Sequence, residues 1–525
     1  MSTKKKVLIC FSAILLIIII FGYILLFTQE TTFSLVSSNV VDDNGFPSLL
    51  INFNANNIIN VNLISQDNQI FYTDKLYTSQ KEILIPISSY RETLSSSNYH
   101  LEIFDNSMNK IYNKKYTFQK SNLLITSIEG QWWKENQDYS LIGVIITVKN
   151  NGDVPIYPYS IDLTINGKST SAQVLPTVVL PNDNQLISCY LYIDSISVGE
   201  KNCDISIYDK NNEILAESSD SIIPEENVPI QHFSWEYNNK IRKLDIPLPQ
   251  YLHDYYSDLD RLDINDYGAY IFDPYDDQYL SLVKDLLLSI VGNADDVTKI
   301  NLIASFVQYL EYQWDDPNDH NYEYPRYPVE ILDKQPCDCE DKSILAGNIF
   351  MLMGYNISLL DVPYHMAIGV NINQELSKYD YFINEYYYLE TTYEDHELGD
   401  SSGAWPDIDE VTIYPLTSRP LLHHEWKKAE GVILNGKTDI IKLRLIVENL
   451  GTKEANEIRI DGAFYTSAGQ KYNLEKSSIS TLKPGEKKQI NLQLNVPHGK
   501  STILKTQIYM NGILIEEKES ETQFS

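Results

Sequence analysis

Pro336-Cys337-Asp338-Cys339-Glu340-Asp341 runs directly into the apolar segment from Lys342 to Met353. In that segment Leu345, Ile349 and Leu352 recur at i, i+4 and i+7, and Gly354 stands where a helix C-cap glycine belongs. The pattern predicts a helix. Asp338 and Asp341, three apart, suit the N-cap and N3 acid of a capping box. Cys339 then takes the first helical position, at the positive end of the helix dipole, where a thiol is expected to be drawn towards thiolate. Downstream, Ile357 to Val362 reads as a strand leading into Pro363-Tyr364-His365, and Met366 to Ile372 alternates like a half-buried strand. Tyr386 to Thr392 reads as a further strand with Glu390 in its middle. A helix-start cysteine with a histidine and a carboxylate on nearby strands is the set that thiol catalysis requires. The imidazole takes the thiol proton and returns it to the leaving group, and the carboxylate fixes the imidazole tautomer.

Upstream of the motif the chain is acidic: 17 Asp and Glu against four Lys and Arg between Tyr251 and Glu330. Two helix patterns lie there, Leu280 to Val291 and Asp295 to Leu310, the second with Val297, Ile300, Ala304 and Val307 on one face. Helices followed by strands predict a mixed α+β domain between residues 226 and 425.

Four segments occur in order: Glu323-Tyr324-Pro325-Arg326-Tyr327-Pro328-Val329-Glu330, then Asp338-Cys339-Glu340-Asp341, then Pro363-Tyr364-His365-Met366-Ala367-Ile368-Gly369-Val370, then Tyr387-Tyr388-Leu389-Glu390-Thr391-Thr392. Together they resemble the transglutaminase-like domains of archaeal membrane-anchored surface proteins, over about residues 290 to 420. The resemblance implies a papain-like triad with Cys339 as nucleophile, His365 as base and Glu390 as the orienting acid. It makes Gln308 a candidate oxyanion donor, beside the backbone N–H of Cys339. Asp338 and Asp341 remain helix-start support. Pro336-Cys337 departs from the Gly-Gly usual before Asp-Cys, so a turn needing positive φ would be strained there. Cys337 adds a second thiol, either inert or open to a regulatory disulfide with another chain.

Outside this block the sequence reads as strands. From residue 31 to 225, alternation such as Val144-Ile146-Val148 is punctuated by turn signals including Asn150-Asn151-Gly152 and Asn166-Gly167. Val148-Lys149-Asn150-Asn151-Gly152 is echoed by Val447-Glu448-Asn449-Leu450-Gly451, and Leu180-Pro181-Asn182-Asp183-Asn184-Gln185 by Leu482-Lys483-Pro484-Gly485-Glu486-Lys487. Such self-similarity implies one supersecondary plan used twice, and both copies resemble immunoglobulin-like adhesion modules. The expected organisation is a stub and anchor over 1–30, a β-sandwich over 31–120, immunoglobulin-like sandwiches over 121–225 and 426–525, and the transglutaminase-like domain over 226–425.

Val7 to Phe27 carries no charge, follows Lys4-Lys5-Lys6 and precedes Glu30. It reads as one transmembrane helix with the N-terminus cytoplasmic and the bulk of the chain extracellular. No A-x-A-like cleavage site follows Phe27. The formal charge of −31, from 41 Lys and Arg against 72 Asp and Glu, argues against a nucleic-acid partner. No cofactor motif is read, and Cys337, Cys339 and His365 lack a fourth metal ligand. The loop Asp315-Asp316-Pro317-Asn318-Asp319-His320 clusters oxygens suited to calcium, yet reads more simply as a solvated acidic loop. Cys189 and Cys203, on strands taken as neighbours, are open to a disulfide. The function expected is thiol acyl transfer at the cell surface on a protein or peptide substrate, as a cysteine peptidase, amidase or transamidase. An inactive fold serving as an adhesion or scaffold module is the alternative, and a polysaccharide-binding surface protein a third reading.

Overall fold

The computed structural model describes residues 30–66, 69–135, 137–315, 323–334, 336–374, 376, 382–400, 411–434 and 437–524. The apolar run Val7 to Phe27 lies outside the described residues, as does the loop 316–320 beyond Asp315. Among the described residues no helix is long and apolar enough to cross a membrane. The chain forms two compact units: the described residues up to Ser88 together with Leu94–Lys120, and Ser89–Thr93 together with the chain from Ser121 onward.

The first unit holds a three-stranded sheet in which Phe46–Ala55 pairs with both Phe33–Asp43 and Glu82–Pro86. Its other sheet is ordered Ile70–Leu76, Ile59–Ser65, Ser97–Asp105, Lys110–Phe118. Leu49, Ile51 and Phe53 of the first sheet and Ile59, Val61, Leu63, Leu101 and Ile103 of the second are buried, the period-two pattern of strands with one face turned inward.

The second unit begins with another sandwich. Asp138–Asn150 pairs with Leu123–Glu135, Asn184–Cys189 and Ile193–Ile196, while the other sheet is ordered Lys168–Gln173, Ser160–Ile165, Lys201–Tyr208, Ile214–Ile222. Asn166 and Gly167, at φ 51° and 81°, make the tight turn between Ile165 and Lys168. A further sandwich spans Leu422–Ile433 to Ile513–Phe524, with sheets ordered Leu422–Ile433, Thr438–Asn449, Lys487–Asn495 and Lys471–Leu482, Ala455–Tyr465, Thr502–Met510, Ile513–Phe524.

The repeated sequence has one structural meaning in both sandwiches. Asn150 donates its amide to the carbonyls of Val154 and Val179 at 2.8 and 2.9 Å, and accepts from Gly152 N–H at 2.8 Å. Asn449 donates to Lys453 and Leu482 at 2.7 and 2.9 Å, and accepts from Gly451 N–H at 3.1 Å. Each asparagine, fully buried, thus staples a strand end to a loop. Asn150→Ala and Asn449→Ala should each lose about 2–4 kcal/mol, because buried carbonyls are left without donors. Urea unfolding of each variant measures this, and a loss below about 1 kcal/mol would show that the staple is dispensable.

Cys189 and Cys203 are both free. The disulfide considered for them does not form, because they are not neighbours: Cys189 pairs with Val144 in one sheet, whereas Cys203 lies between Ile165 and Asp220 in the other.

In the C-terminal sandwich the Glu516 carboxylate lies 2.8 Å from His423 Nδ1 and 2.5 Å from His424 Nδ1. Burial opposes charge on His423, but the nearby carboxylates of Glu425 and Glu516 push it up to about 9. Burial likewise opposes charge on Glu516, yet the two histidines hold it down at about 2. The histidine's contribution is complete below its ordinary value of about 6.5 and disappears as pH rises through 9. That of Glu516 is complete above about 4.5 and disappears as pH falls towards 2. The sandwich should therefore be most stable between about pH 4.5 and 6.5 and lose about 3 kcal/mol by pH 10. Urea unfolding at pH 6 and pH 10 tests this, with Glu516→Gln expected to remove most of the difference.

Between the two sandwiches lies the α+β part. A five-stranded antiparallel sheet runs in the order Phe382–Ile383, Tyr386–Leu389, His365–Asn371, Asn356–Val362, Thr412–Pro415. The helix Cys339–Leu352 packs on this sheet and is enclosed by the helices Gly268–Ile271, Asp277–Ser289, Asp296–Tyr309 and Pro328–Ile331. Every residue from Cys339 to Phe350 is buried, so the helix is central rather than one-faced. Gly347 permits this enclosure: a Cβ there would sit 3.0 Å from Ile271 and 3.1 Å from Leu416.

Candidate active site

The site is built on the start of that central helix. Asp338 is the N-cap, and its backbone N–H donates to Asp341 Oδ2 at 3.4 Å, completing the capping box with Asp341. Cys339 is the first residue of the helix, 7% exposed. Its thiol donates to Glu340 Oε2 at 3.4 Å and accepts from the Met366 N–H. The expectation of a dipole-lowered thiol is overturned. Burial first, then the carboxyl groups of Glu340 and Asp338, raise Cys339 above the ordinary cysteine range.

His365 begins the strand His365–Asn371, opposite Val362, after a two-residue turn. Tyr364 in that turn has φ 64° and is 91% exposed. A tyrosine in left-handed backbone is strained by about 1–2 kcal/mol, and it places the residue before His365 at the rim of the site.

Glu390 was expected mid-strand. It instead follows the strand Tyr386–Leu389, and the chain turns at it. Glu390 Oε1 accepts the N–H groups of Thr391 and Thr392 at 3.0 and 2.8 Å, Tyr388 donates to Oε2 at 2.9 Å, and both oxygens lie 3.1 Å from His365 Nε2. Burial opposes its ionisation, but the hydrogen bonds from His365, Thr392 and Tyr388 hold it below the usual carboxylate range. The Glu390 carboxylate thus lies against Nε2 of His365, the arrangement in which a carboxylate orients an imidazole.

Cys339 and His365 line one cleft of about 500 Å³. Its walls carry Asp315, Glu323, Asp338, Glu340 and Asp361, with Tyr267, Trp314, Tyr364 and Tyr414, and among the described residues no lysine or arginine lines it.

Gln308 does not face this cleft. Its amide donates to the carbonyls of Glu390 and His396 at 2.8 and 3.0 Å, so both N–H groups are spent holding the backbone at those two residues. The oxyanion role considered for Gln308 is therefore corrected to a positioning one, and the backbone N–H of Cys339 is the donor that remains at the helix start. Cys337 has no positive φ and is fully buried, its N–H on the Glu311 carbonyl at 3.1 Å. Burial pushes its thiol up to about 12. Neither strain nor a disulfide to another chain fits that environment.

Two residues central to the site escaped sequence reasoning. Lys342, fully buried, donates to the carbonyls of Gln308 and Leu310 at 3.0 and 2.6 Å and so caps the helix Asp296–Tyr309 against the central one. A lysine inside an otherwise apolar helix was the available signal. Arg326 donates its backbone N–H and its guanidinium to Asp341 at 2.6 and 2.5 Å, and reaches Asp315 at 3.2 Å. The first of the four ordered segments thus braces the helix that carries Cys339. The same segment contributes Glu330, which receives Arg261 at 2.6 Å, and Glu323, which accepts from Tyr267 at 3.0 Å.

No family model matches the chain, and no curated protein matches it. Among solved structures, red sea bream transglutaminase is 11% identical, with 72% of this chain and 79% of that chain covered and a TM-score of 0.19. A two-domain fibronectin type-III segment from chicken tenascin is 9% identical, with 36% and 98% covered and a TM-score of 0.18. An exo-chitosanase from Amycolatopsis orientalis is 8% identical, with 93% and 76% covered and a TM-score of 0.17. Scores this low do not establish a shared fold.

Proposed function

We propose that the cleft is a thiol acyl-transfer centre of the transglutaminase-like kind, on a chain anchored in the membrane by its N-terminal segment with its bulk outside the cell. The observation that carries this reading is the shared cleft of Cys339 and His365, with His365 held through Nε2 by the ionised Glu390. In the reaction the Cys339 proton passes to His365 as sulfur attacks an amide carbonyl. The oxyanion is met by the helix-start N–H, the imidazolium returns its proton to the departing amine, and a thioester remains. Water then gives the acid, as in a peptidase or amidase, and an amine acceptor gives a new amide, as in a transamidase. Water is the more abundant acceptor at an exposed surface, which favours hydrolysis of surface or cell-wall peptides.

A second reading is supported by the thiol itself: at 7% exposure and raised in pKa, Cys339 suits an inactive fold kept as a scaffold between β-sandwiches. Mass spectrometry after reaction with an activated acyl ester separates the two. An acyl adduct confined to Cys339 and absent from Cys339→Ala supports the enzyme. No adduct on either form leaves the scaffold.

A further inference from the structure

The cleft holds one carboxylate that its surroundings leave uncompensated. Asp315 is taken by Arg326 and by the Tyr324 N–H, Glu323 accepts from Tyr267, and Asp338 and Glu340 bond to each other. Asp361 differs. Among the described residues no hydrogen bond or ion pair reaches its side chain, and burial raises its carboxyl with nothing to offset the cost. It stands directly opposite Met366, whose N–H meets the Cys339 thiol, and diagonally across from Tyr414. These side chains therefore share one face of the sheet, and all three line the cleft. Two further rings line it while largely open to solvent: Trp314 is 65% exposed and Tyr364 is 91% exposed. Tyr364 is held out by left-handed backbone at φ 64°. Strained backbone and exposed rings gathered at a cleft are the marks of a surface kept for a ligand.

We propose that Asp361, with the rings of Tyr364, Tyr414 and Trp314, forms a subsite for a cationic side chain, so that the centre prefers a peptide carrying lysine or arginine at the residue whose carbonyl Cys339 attacks. The inference rests on the acyl-transfer reading and names its substrate class. The chemistry selects an organic cation. An ammonium or guanidinium needs one carboxylate and gains from aromatic faces within about 6 Å, whereas a calcium ion asks for about six to eight oxygens. Among the described residues no lysine or arginine lines the cleft to occupy Asp361 or repel such a group. A carboxylate desolvated on its own is unfavourable, and a substrate cation offsets that cost as it binds. The formal charge of −31 draws the same class of substrate towards the surface.

The test compares the p-nitrophenyl esters of Nα-acetyl-lysine and Nα-acetyl-norleucine on the full-length chain, each corrected for its rate on Cys339→Ala. The lysine ester is expected to acylate Cys339 about tenfold faster at equal low concentration. Asp361→Asn should bring the two rates within about threefold of each other. Asp361→Glu should restore most of the preference, a rescue that a purely structural role would not give. A thermal melt of each variant checks that it is folded. Calorimetric titration of Cys339→Ala with acetyl-alanyl-lysyl-alanine amide and with its norleucine counterpart reads the subsite without chemistry, and the lysine peptide is expected to bind more tightly. Equal rates in the parent, an unchanged ratio in a folded Asp361→Asn, or equal affinity for the two peptides overturns the proposal. If neither ester acylates the parent, the acyl-transfer reading fails by itself, and the two peptide affinities decide the subsite.

Discussion

His365→Ala should lower the rate at which Cys339 is acylated by about 10³- to 10⁴-fold, close to the background of Cys339→Ala. The size of the effect follows from the thiol's surroundings. Burial, Glu340 and Asp338 keep sulfur protonated, so a resting thiolate does not supply the nucleophile and the proton must leave during attack. In the proposed acyl transfer His365, which lines the same cleft, takes it. Glu390→Gln should lose about 10²- to 10⁴-fold through the tautomer, since an amide in place of the carboxylate no longer demands a proton on Nε2. The measurement is the burst of p-nitrophenol from an activated ester, with the acyl-enzyme mass recorded for each variant. Acylation of His365→Ala within about threefold of the parent would remove the imidazole from the mechanism and put the scaffold reading first.

Asp341→Ala should destabilise the second unit by about 3–5 kcal/mol, the usual consequence of removing one partner from a buried ion pair. Asp341 is fully buried and takes two hydrogen bonds from Arg326, at 2.6 and 2.5 Å. Burial, the larger effect, raises this carboxyl to about 7, against the Arg326 guanidinium and its hydrogen bonds, which lower it and raise Arg326 in turn. The alanine leaves Arg326 with Asp315 and removes the N3 acid of the capping box. Asp341→Asn retains an acceptor for the Arg326 N–H and should lose distinctly less. Urea unfolding of the three forms measures both differences. A loss below about 1 kcal/mol in the alanine variant would mean that the first ordered segment does not brace the central helix.

The local elements were legible in the sequence because their causes are local. Helix periodicity and capping residues gave helices from Leu280 to Val291 and from Asp295 to Leu310; the structure has Asp277–Ser289 and Asp296–Tyr309, with Asp295 accepting from Thr298 N–H at 2.8 Å. The capping pair Asp338 and Asp341 set the start of Cys339–Leu352. The echoed Asn-x-Gly segments around Asn150 and Asn449 announced two sandwiches with one staple, since an asparagine that bonds its own loop needs only a short stretch of chain.

Properties set through space were not legible. Glu390 was placed in a strand because Tyr-Tyr-Tyr-Leu favours one, but its carboxylate gathers the next two N–H groups and His365, and the chain turns there. Gln308 was a candidate oxyanion donor, but the fold brings two carbonyls, of Glu390 and His396, to its amide. A helix-start cysteine read from spacing alone is electrostatically favoured as thiolate. Only the tertiary structure sets Glu340, Asp338 and a buried environment against that dipole, and removes the water that would screen them. Sequence by itself determined which residues start helices, turn chains and carry reactive groups. The folded chain alone decided their burial and their partners, because desolvation and charge act between residues that are distant in the sequence and adjacent in space.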